Sequence, residues 1–296
     1  MSATAFALVL LAGVIHAFWN IVAKKAGGDS RFSLFTSVIN AVLWLPLGWW
    51  LGKDIVPLWG LQEWAFVAAS ALLHVFYFVV LLRGYRVADL TVVYPLARGS
   101  GPLISSMVAI VFLGESLTTL GAAGIAGVVA GVFLIAGGPA MLRTATRHGS
   151  GEARERTLKG VYYGLLTGLF IAGYTVVDSY AVKVLLMSPI LLDYMGTLVR
   201  CVVLAPLGLK DMAETKRLWQ MQWKYALVVA IFSPIAYVLV LYAVQSAPIS
   251  HVAPAREVSM LFAALIGGRL LGEGDRGLRI VGAVLIALGV MALGLG

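Results

Sequence analysis

Apolar residues run through this sequence in ten blocks, each about as long as the roughly 20 residues a helix needs to cross the hydrocarbon of a bilayer. They fall at roughly 3–23, 32–51, 63–82, 88–113, 117–138, 159–183, 189–209, 223–243, 249–271 and 276–296. Short polar connections separate them, and the longest, around Arg143 to Lys159, is too short to be a soluble domain. The pattern predicts an all-α integral membrane chain with ten transmembrane helices. The first block lacks a basic start and a small-residue cleavage site before Lys24 and Lys25, so it is taken as the first helix rather than a removable leader.

Composition agrees with this pattern. Of the 296 residues 60% are hydrophobic and only 12% charged, with a mean hydropathy of +0.93. Soluble chains carry about 25% charged residues, so a soluble domain, a disordered chain and a collagen are excluded. The net charge of +8 is scattered between apolar blocks, which suits bilayer anchoring and not nucleic acid. The single cysteine, Cys201, lies inside an apolar run, so no disulfide frame or cysteine-held metal is expected. No cofactor is implied. A P-loop is missing, so uphill transport would draw on protons or another exchanged solute and not on ATP.

The chain matches itself. At an offset of 158, Arg98 falls on Arg256, Gly114 and Glu115 on Gly272 and Glu273, Gly124 on Gly282 and Gly131 on Gly289. At 160, the PLG of Pro46, Leu47 and Gly48 falls on that of Pro206, Leu207 and Gly208. The expected organisation is a five-helix repeat over 1–138, a cytoplasmic or peripheral linker over 139–158 and a second five-helix repeat over 159–296. Five is odd, so the second copy must enter the membrane from the opposite side. Such inverted repeats rock around a shared site near the midplane in secondary transporters.

These features, with the LGE repeated at the fourth-to-fifth and ninth-to-tenth boundaries and the aromatic first helix HAFWNIVAKK (His16 to Lys25), resemble the EamA type of the drug/metabolite transporter superfamily. The resemblance covers nearly the whole chain. It implies a multi-pass carrier of small metabolites or lipid-linked sugars in the inner (plasma) membrane. It also implies an arginine in the second helix, where this chain has Asn40 and carries the charge on the repeat mate Arg200. Family members have cytoplasmic termini. The charges read otherwise: 17 of the 22 Lys and Arg lie in the loops after odd-numbered helices, which the positive-inside rule places in the cytoplasm with both termini outside.

Three arginines, Arg98, Arg200 and Arg256, lie within spans, at a cost of about 2.5–3.5 kcal/mol each on insertion scales. Arg98 sits about 14 Å along its helix from Asp89, near mid-membrane. Pro95 and Pro102 bracket Arg98, Gly99, Ser100 and Gly101, so the fourth helix is expected to be broken there, with backbone donors beside Arg98. The ninth helix has Pro248, Pro254, Arg256 and Glu257 but no glycine pair. Arg98 is thus expected to be the stronger anion ligand. The repeat-related arginines could clamp a carboxylate or phosphonate, giving an anionic or zwitterionic substrate such as an amino acid, organic acid or aminophosphonate. Alternatively, they form buried ion pairs with Glu257. Lipid-linked sugars and organic cations are the second choice.

Trp19, Asn20, Tyr77, Tyr94, Ser100 and Tyr174 are further candidate substrate contacts. Aromatic rings with polar tips suit cavity walls as well as packing. Glu257, His16, His74, His251 and Arg200 are candidates for proton coupling or gating, the histidines because imidazole titrates near neutrality. Glu257 is preferred over Asp178, Asp193, Glu115 and Glu273, which lie closer to helix ends. Trp44, Trp49, Trp50, Trp59 and Trp64 read as an interfacial belt. Gly124, Gly127, Gly131, Gly282 and Gly289 suit close helix packing, and a homodimer through them is conceivable. An intramembrane protease is the minor alternative. The GxGD of Gly272 to Asp275 falls in a charged loop, and a Ser100–His251 dyad lacks its glycine context, so no enzyme is expected.

Overall fold

The computed structural model describes residues 1–27, 29–88, 90–135, 151–267 and 276–296, and every regular element among them is helical. In chain order these are α1 (Ala3–Ala26), α2 (Ser30–Leu43), α3 (Leu45–Gly52), a 3-10 turn (Val56–Leu58), α4 (Leu61–Val87), α5 (Leu90–Phe112), α6 (Thr119–Ile135), α7 (Gly151–Lys183), α8 (Pro189–Leu209), α9 (Met212–Ser246), α10 (Ile249–Ala255), α11 (Val258–Gly267) and α12 (Arg276–Leu295). Their starts are written locally. Asp29 Oδ1 accepts from Arg31 N at 2.9 Å to cap α2, and Asp211 Oδ1 accepts from Glu214 N at 3.0 Å to cap α9. Pro189 opens α8, where its missing donor is not needed.

Six helices are long and apolar enough to cross a membrane: α1, α4, α5, α7, α8 and α9. A seventh span forms if α2 and α3 are joined across their 57° bend. Pro46 at the start of α3 removes a helical donor there, and Trp44 Nε1 holds the corner by donating to Ala230 O at 3.2 Å. The other three of the ten expected spans do not stand alone. α6 and the apolar part of α12, Ile280–Leu295, are short, and the ninth is divided into α10 and α11. Large apolar side chains cover the outer faces, among them Trp49 and Trp50 of the expected belt, each 68% exposed. This is a multi-pass membrane protein. Of the expected linker, 151–158 forms the first turns of α7, and 139–150 lies outside the described residues.

Packing couples the halves reciprocally. α1 packs on α9 and α7 on α4, α1 packs on α11 and α7 on α5, while α2 meets α8 and α6 meets α12. Numbered as the ten expected spans, one-with-eight is matched by six-with-three and one-with-nine by six-with-four, the pairing that the expected pseudo-two-fold arrangement would give.

The α6–α12 contact consumes the glycines. A Cβ on Gly131 would lie 2.6 Å from Gly282 O, and one on Gly289 would lie 2.8 Å from Gly124 O. They serve contact within the chain, backbone against backbone. Gly131→Leu is expected to cost at least about 1–3 kcal/mol through overpacking and to lower the thermal midpoint in detergent by several degrees. An unchanged midpoint would mean the helices do not approach this closely.

The fourth span is not broken. α5 runs through Arg98–Gly101 without interruption, because its small residues serve packing instead. A Cβ on Gly101 would lie 2.7 Å from Ile171 Cγ2 of α7, and Ser100 Oγ donates to Leu96 O at 2.5 Å. The break lies in the ninth span. Pro254 has no N–H for Ser250 O, which accepts instead from Ser106 Oγ of α5 at 3.3 Å. Beyond it the turn tightens to three-residue bonds, Glu257 N to Pro254 O at 3.0 Å and Met260 N to Glu257 O at 2.8 Å.

Candidate functional site

That break sets the directions of three polar side chains. Adjacent helical residues diverge by about 100°, so Arg256 and Glu257 leave the junction toward different neighbours. Glu257, 1% exposed, faces α5, where its Oε2 lies 3.3 Å from Arg98 Nε. Arg98 Nη2 also donates to Ser259 Oγ at 3.2 Å. The guanidinium of Arg98 lies 6.0 Å from the Tyr94 ring centre. Its charge is already met.

Arg256 points at α7. It is 6% exposed, its guanidinium lies 5.9 Å from the Tyr174 ring centre, and its Nε, like that of Arg98, is buried without a hydrogen-bond partner. Among the described residues it has no ion-pair partner. Leaving a buried cation unpaired is costly, so this residue is the one short of an anion. The placement of Glu257 thus leaves Arg256, and not Arg98, without an ion-pair partner among the described residues.

Tyr174 anchors an aromatic wall. His74 of α4 stacks on it at 4.1 Å and 23°, Tyr77 meets it at 5.9 Å, and Tyr237 of α9 at 6.3 Å. His74 Nδ1 bonds Ser70 O at 2.9 Å. From α1, His16 and Trp19 meet edge-on at 4.7 Å, and Trp19 Nε1 is buried without a partner. His16 lies within electrostatic reach of Arg98 and Arg256. Asn20 turns back to its own helix, donating to His16 O at 2.6 Å.

Other candidates are elsewhere. Ser100 is bonded to α5 itself, and His251 meets Ser250 Oγ at 3.2 Å, so no Ser100–His251 dyad forms. Arg200 Nη2 is held by Asp193 Oδ1 at 3.2 Å and Thr197 Oγ1 at 2.5 Å on α8. The GxGD residues 272–275 lie outside the described residues.

Residues passed over in the sequence complete the picture. Asp178, 0% exposed, sits one helical turn from Tyr174, and its Oδ2 accepts the Tyr237 hydroxyl. The i, i+4 spacing from Tyr174 was the available signal. Glu115 of the first LGE caps α10: its Oε1 accepts from Ile249 N at 2.7 Å and its Oε2 from Ser250 N at 2.9 Å. Lys183 joins it, with Nζ 3.7 Å from Oε1 and donating to Ala247 O at 3.1 Å. A carboxylate across a helix start suits the dipole there.

The interior is closed around these groups. The cavity beside Arg256, lined by Thr175, Ser179, Tyr237, Val252 and Ala253, holds about 10 Å³, room for about one water. A larger groove of about 540 Å³ lies on the flank between α2 and the start of α9, lined by Phe35, Met212 and Trp219. It is remote from the arginines and nearly all apolar, so the chemistry lies at the smaller one.

The family model for EamA-like transporters matches residues 3–137 and 158–295, one copy on each half. The chain belongs to the EamA-like transporter family. This EamA-like protein is also similar in fold to a solved crystal structure of a protein at 13% identity, with a TM-score of 0.75 over 100% of this chain and 98% of that one. Comparison with curated proteins finds no match. Members of the EamA-like family are membrane transporters, and both halves of the family signature bear on the buried cluster. The first half supplies Trp19, His74 and Arg98, the second Tyr174, Tyr237, Arg256 and Glu257.

Proposed function

We propose that this EamA-like protein is a secondary carrier, not an enzyme, that moves a small anionic or zwitterionic metabolite across the inner membrane by alternating access. Ten passages in two inverted five-helix repeats form its frame, joined by a linker ahead of α7. The reciprocal packing of the halves supports that frame, and the divided ninth span supports a moving element at its centre. Amino acids, organic acids and aminophosphonates fit.

The observation that carries the reading is Arg256: a buried guanidinium with no ion-pair partner among the described residues, over the Tyr174 ring and lining a small cavity with Tyr237 at a helix break. A carboxylate or phosphonate would supply the missing charge and use the planar fork. Organic cations fit less well, because Glu257 is engaged by Arg98. A lipid-linked sugar phosphate would use the same arginine but needs a larger, laterally open chamber.

A thermal-shift screen of the purified protein tests this directly. Lactate, glutamate and 2-aminoethylphosphonate are expected to stabilise it, by about 2.7 kcal/mol at a concentration 100 times the dissociation constant. Stabilisation by tetraethylammonium with none by the anions would reverse the charge assignment.

A further inference from the structure

The buried carboxylates of the described residues fall into two groups. Glu257 has Arg98 and Asp193 has Arg200, and even the half-buried Glu115 has Lys183. Asp178 has no cation. It is fully buried, its Oδ2 accepts the Tyr237 hydroxyl, its Oδ1 has no close partner, and the Ser70 hydroxyl lies within hydrogen-bonding reach of the carboxyl. An ionised carboxylate so placed costs several kcal/mol unless paired, and the cheap remedy is a proton.

Beyond the neutral Ser70 and Tyr237 hydroxyls, its surroundings offer no free cation within ion-pair distance among the described residues. From α4, Ser70 and His74 face this region, and the His74 ring is committed to Tyr174 and Tyr237, at 4.1 and 5.3 Å. From α8, Arg200 is within electrostatic reach but is held by Asp193 and Thr197. On α7 itself, Ser179 Oγ donates to Thr175 O at 2.5 Å. On α5, Arg98 is held by Glu257. Among the described cations near this region, Arg256 is the one without an ion-pair partner, and Tyr237 lines its cavity while bonding Asp178.

We propose that Asp178, bonded to Tyr237, is the proton-binding site that couples transport at the Arg256 anion site to a proton gradient. This rests on the anion-carrier reading and adds its driving ion. One unpaired cation and one unpaired carboxylate flank the Tyr174–Tyr237 wall. With Asp178 protonated, Arg256 is left as net positive charge and draws an anion. With Asp178 ionised, its charge offsets Arg256 and repels the anion. Proton and anion therefore favour each other's binding, and by reciprocity each raises the other's affinity by the same factor. Both travel in the same direction. The carboxyl takes up its proton from water in whichever state opens the cavity and releases it to water in the other, so no further reactant is needed.

Two measurements on the purified full-length protein in lipid decide this. In an infrared pH titration, wild type should show a protonated-carboxyl C=O band that Asp178→Asn lacks and Glu257→Gln keeps. A band untouched by Asp178→Asn, or removed by Glu257→Gln, overturns the proposal. Asparagine matches the protonated carboxyl in shape and should fold. As a second handle, Tyr237→Phe removes the hydroxyl bonded to the carboxyl and must shift the same band; an unshifted band overturns the assignment. The second measurement is the affinity for lactate or glutamate, whose carboxylates stay ionised near neutral pH. Wild-type affinity should fall about tenfold per pH unit once Asp178 releases its proton, and Asp178→Asn should hold the acidic wild-type affinity at every pH. An Asp178→Asn protein with the wild-type slope overturns the coupling. If no anion binds either protein at any pH, the carrier reading falls, and the infrared band alone decides whether Asp178 holds the proton.

Discussion

Arg256→Lys is expected to weaken anion binding by roughly 10- to 150-fold, or about 1.5–3 kcal/mol, the range of a hydrogen bond to a charged group. Lysine keeps the charge but loses the two-pronged donor that matches a carboxylate or phosphonate. Arg98→Lys should act in the other column. Arg98 is already ion-paired with Glu257, Nε to Oε2 at 3.3 Å, and donates Nη2 to Ser259 Oγ at 3.2 Å, so altering it disturbs a buried ion pair. Removing one partner of such a pair costs about 3–5 kcal/mol, which Arg98→Ala should show as a lowered thermal midpoint. The expected pattern is thus a crossed one: affinity falls more at Arg256, stability more at Arg98. Ligand affinity and thermal midpoints of the purified variants test it, and the opposite crossing would return the anion to Arg98.

Glu115→Ala is expected to loosen the end of the bundle where α10 begins. Its carboxylate bonds two backbone N–H groups, at 2.7 and 2.9 Å, and lies beside Lys183. Losing those contacts should favour an open arrangement by about 2–3 kcal/mol, a population shift of roughly 30- to 150-fold. Cys201 is the single cysteine, so a Cys201→Ser background carrying Ser250→Cys gives one reporter thiol at the capped turn. Labelling by a membrane-impermeant maleimide should accelerate by a comparable factor when Glu115 is also replaced. An unchanged rate would show that the clasp does not hold a gate.

The resemblance of Glu115 to Glu273 illustrates how far a repeat can be read. The LGE match pairs residues 113–115 with 271–273, and the family model falls once on each of the two halves; Glu273 itself lies outside the described residues. The match carried no sign of what the Glu115 carboxylate does, because its partners are backbone donors of residues 249 and 250, about 134 positions away in the chain. The glycines of the sixth and twelfth helices were legible for a simpler reason. Close approach needs the absence of a Cβ whatever the partner, so Gly131 and Gly282 announced a contact even though only the fold shows that they meet each other.

Helix breaking was the instructive failure. Pro95, Gly99, Gly101 and Pro102 promised a break in α5, yet glycines loosen a helix only where no neighbour presses on it. α7 presses there, with Ile171 against Gly101. In the ninth span Pro254 frees the carbonyl of Ser250, and Ser106 across the interface satisfies it, so the break is tolerated without any glycine. Asp178 was set aside for its distance from mid-helix, but burial depends on what surrounds a residue and not on where it stands along its own axis.

Residue order along the chain was enough to establish the solvent, the membrane class, the duplication and the presence of expensive charges in apolar surroundings, since each follows from local composition and a self-match. Which arginine is ion-paired and which is not was decided only by the packing of α10 on α5 and α7. Charge compensation acts over about 4 Å between residues more than 150 positions apart, Arg98 with Glu257, and nothing in the linear pattern sets that distance.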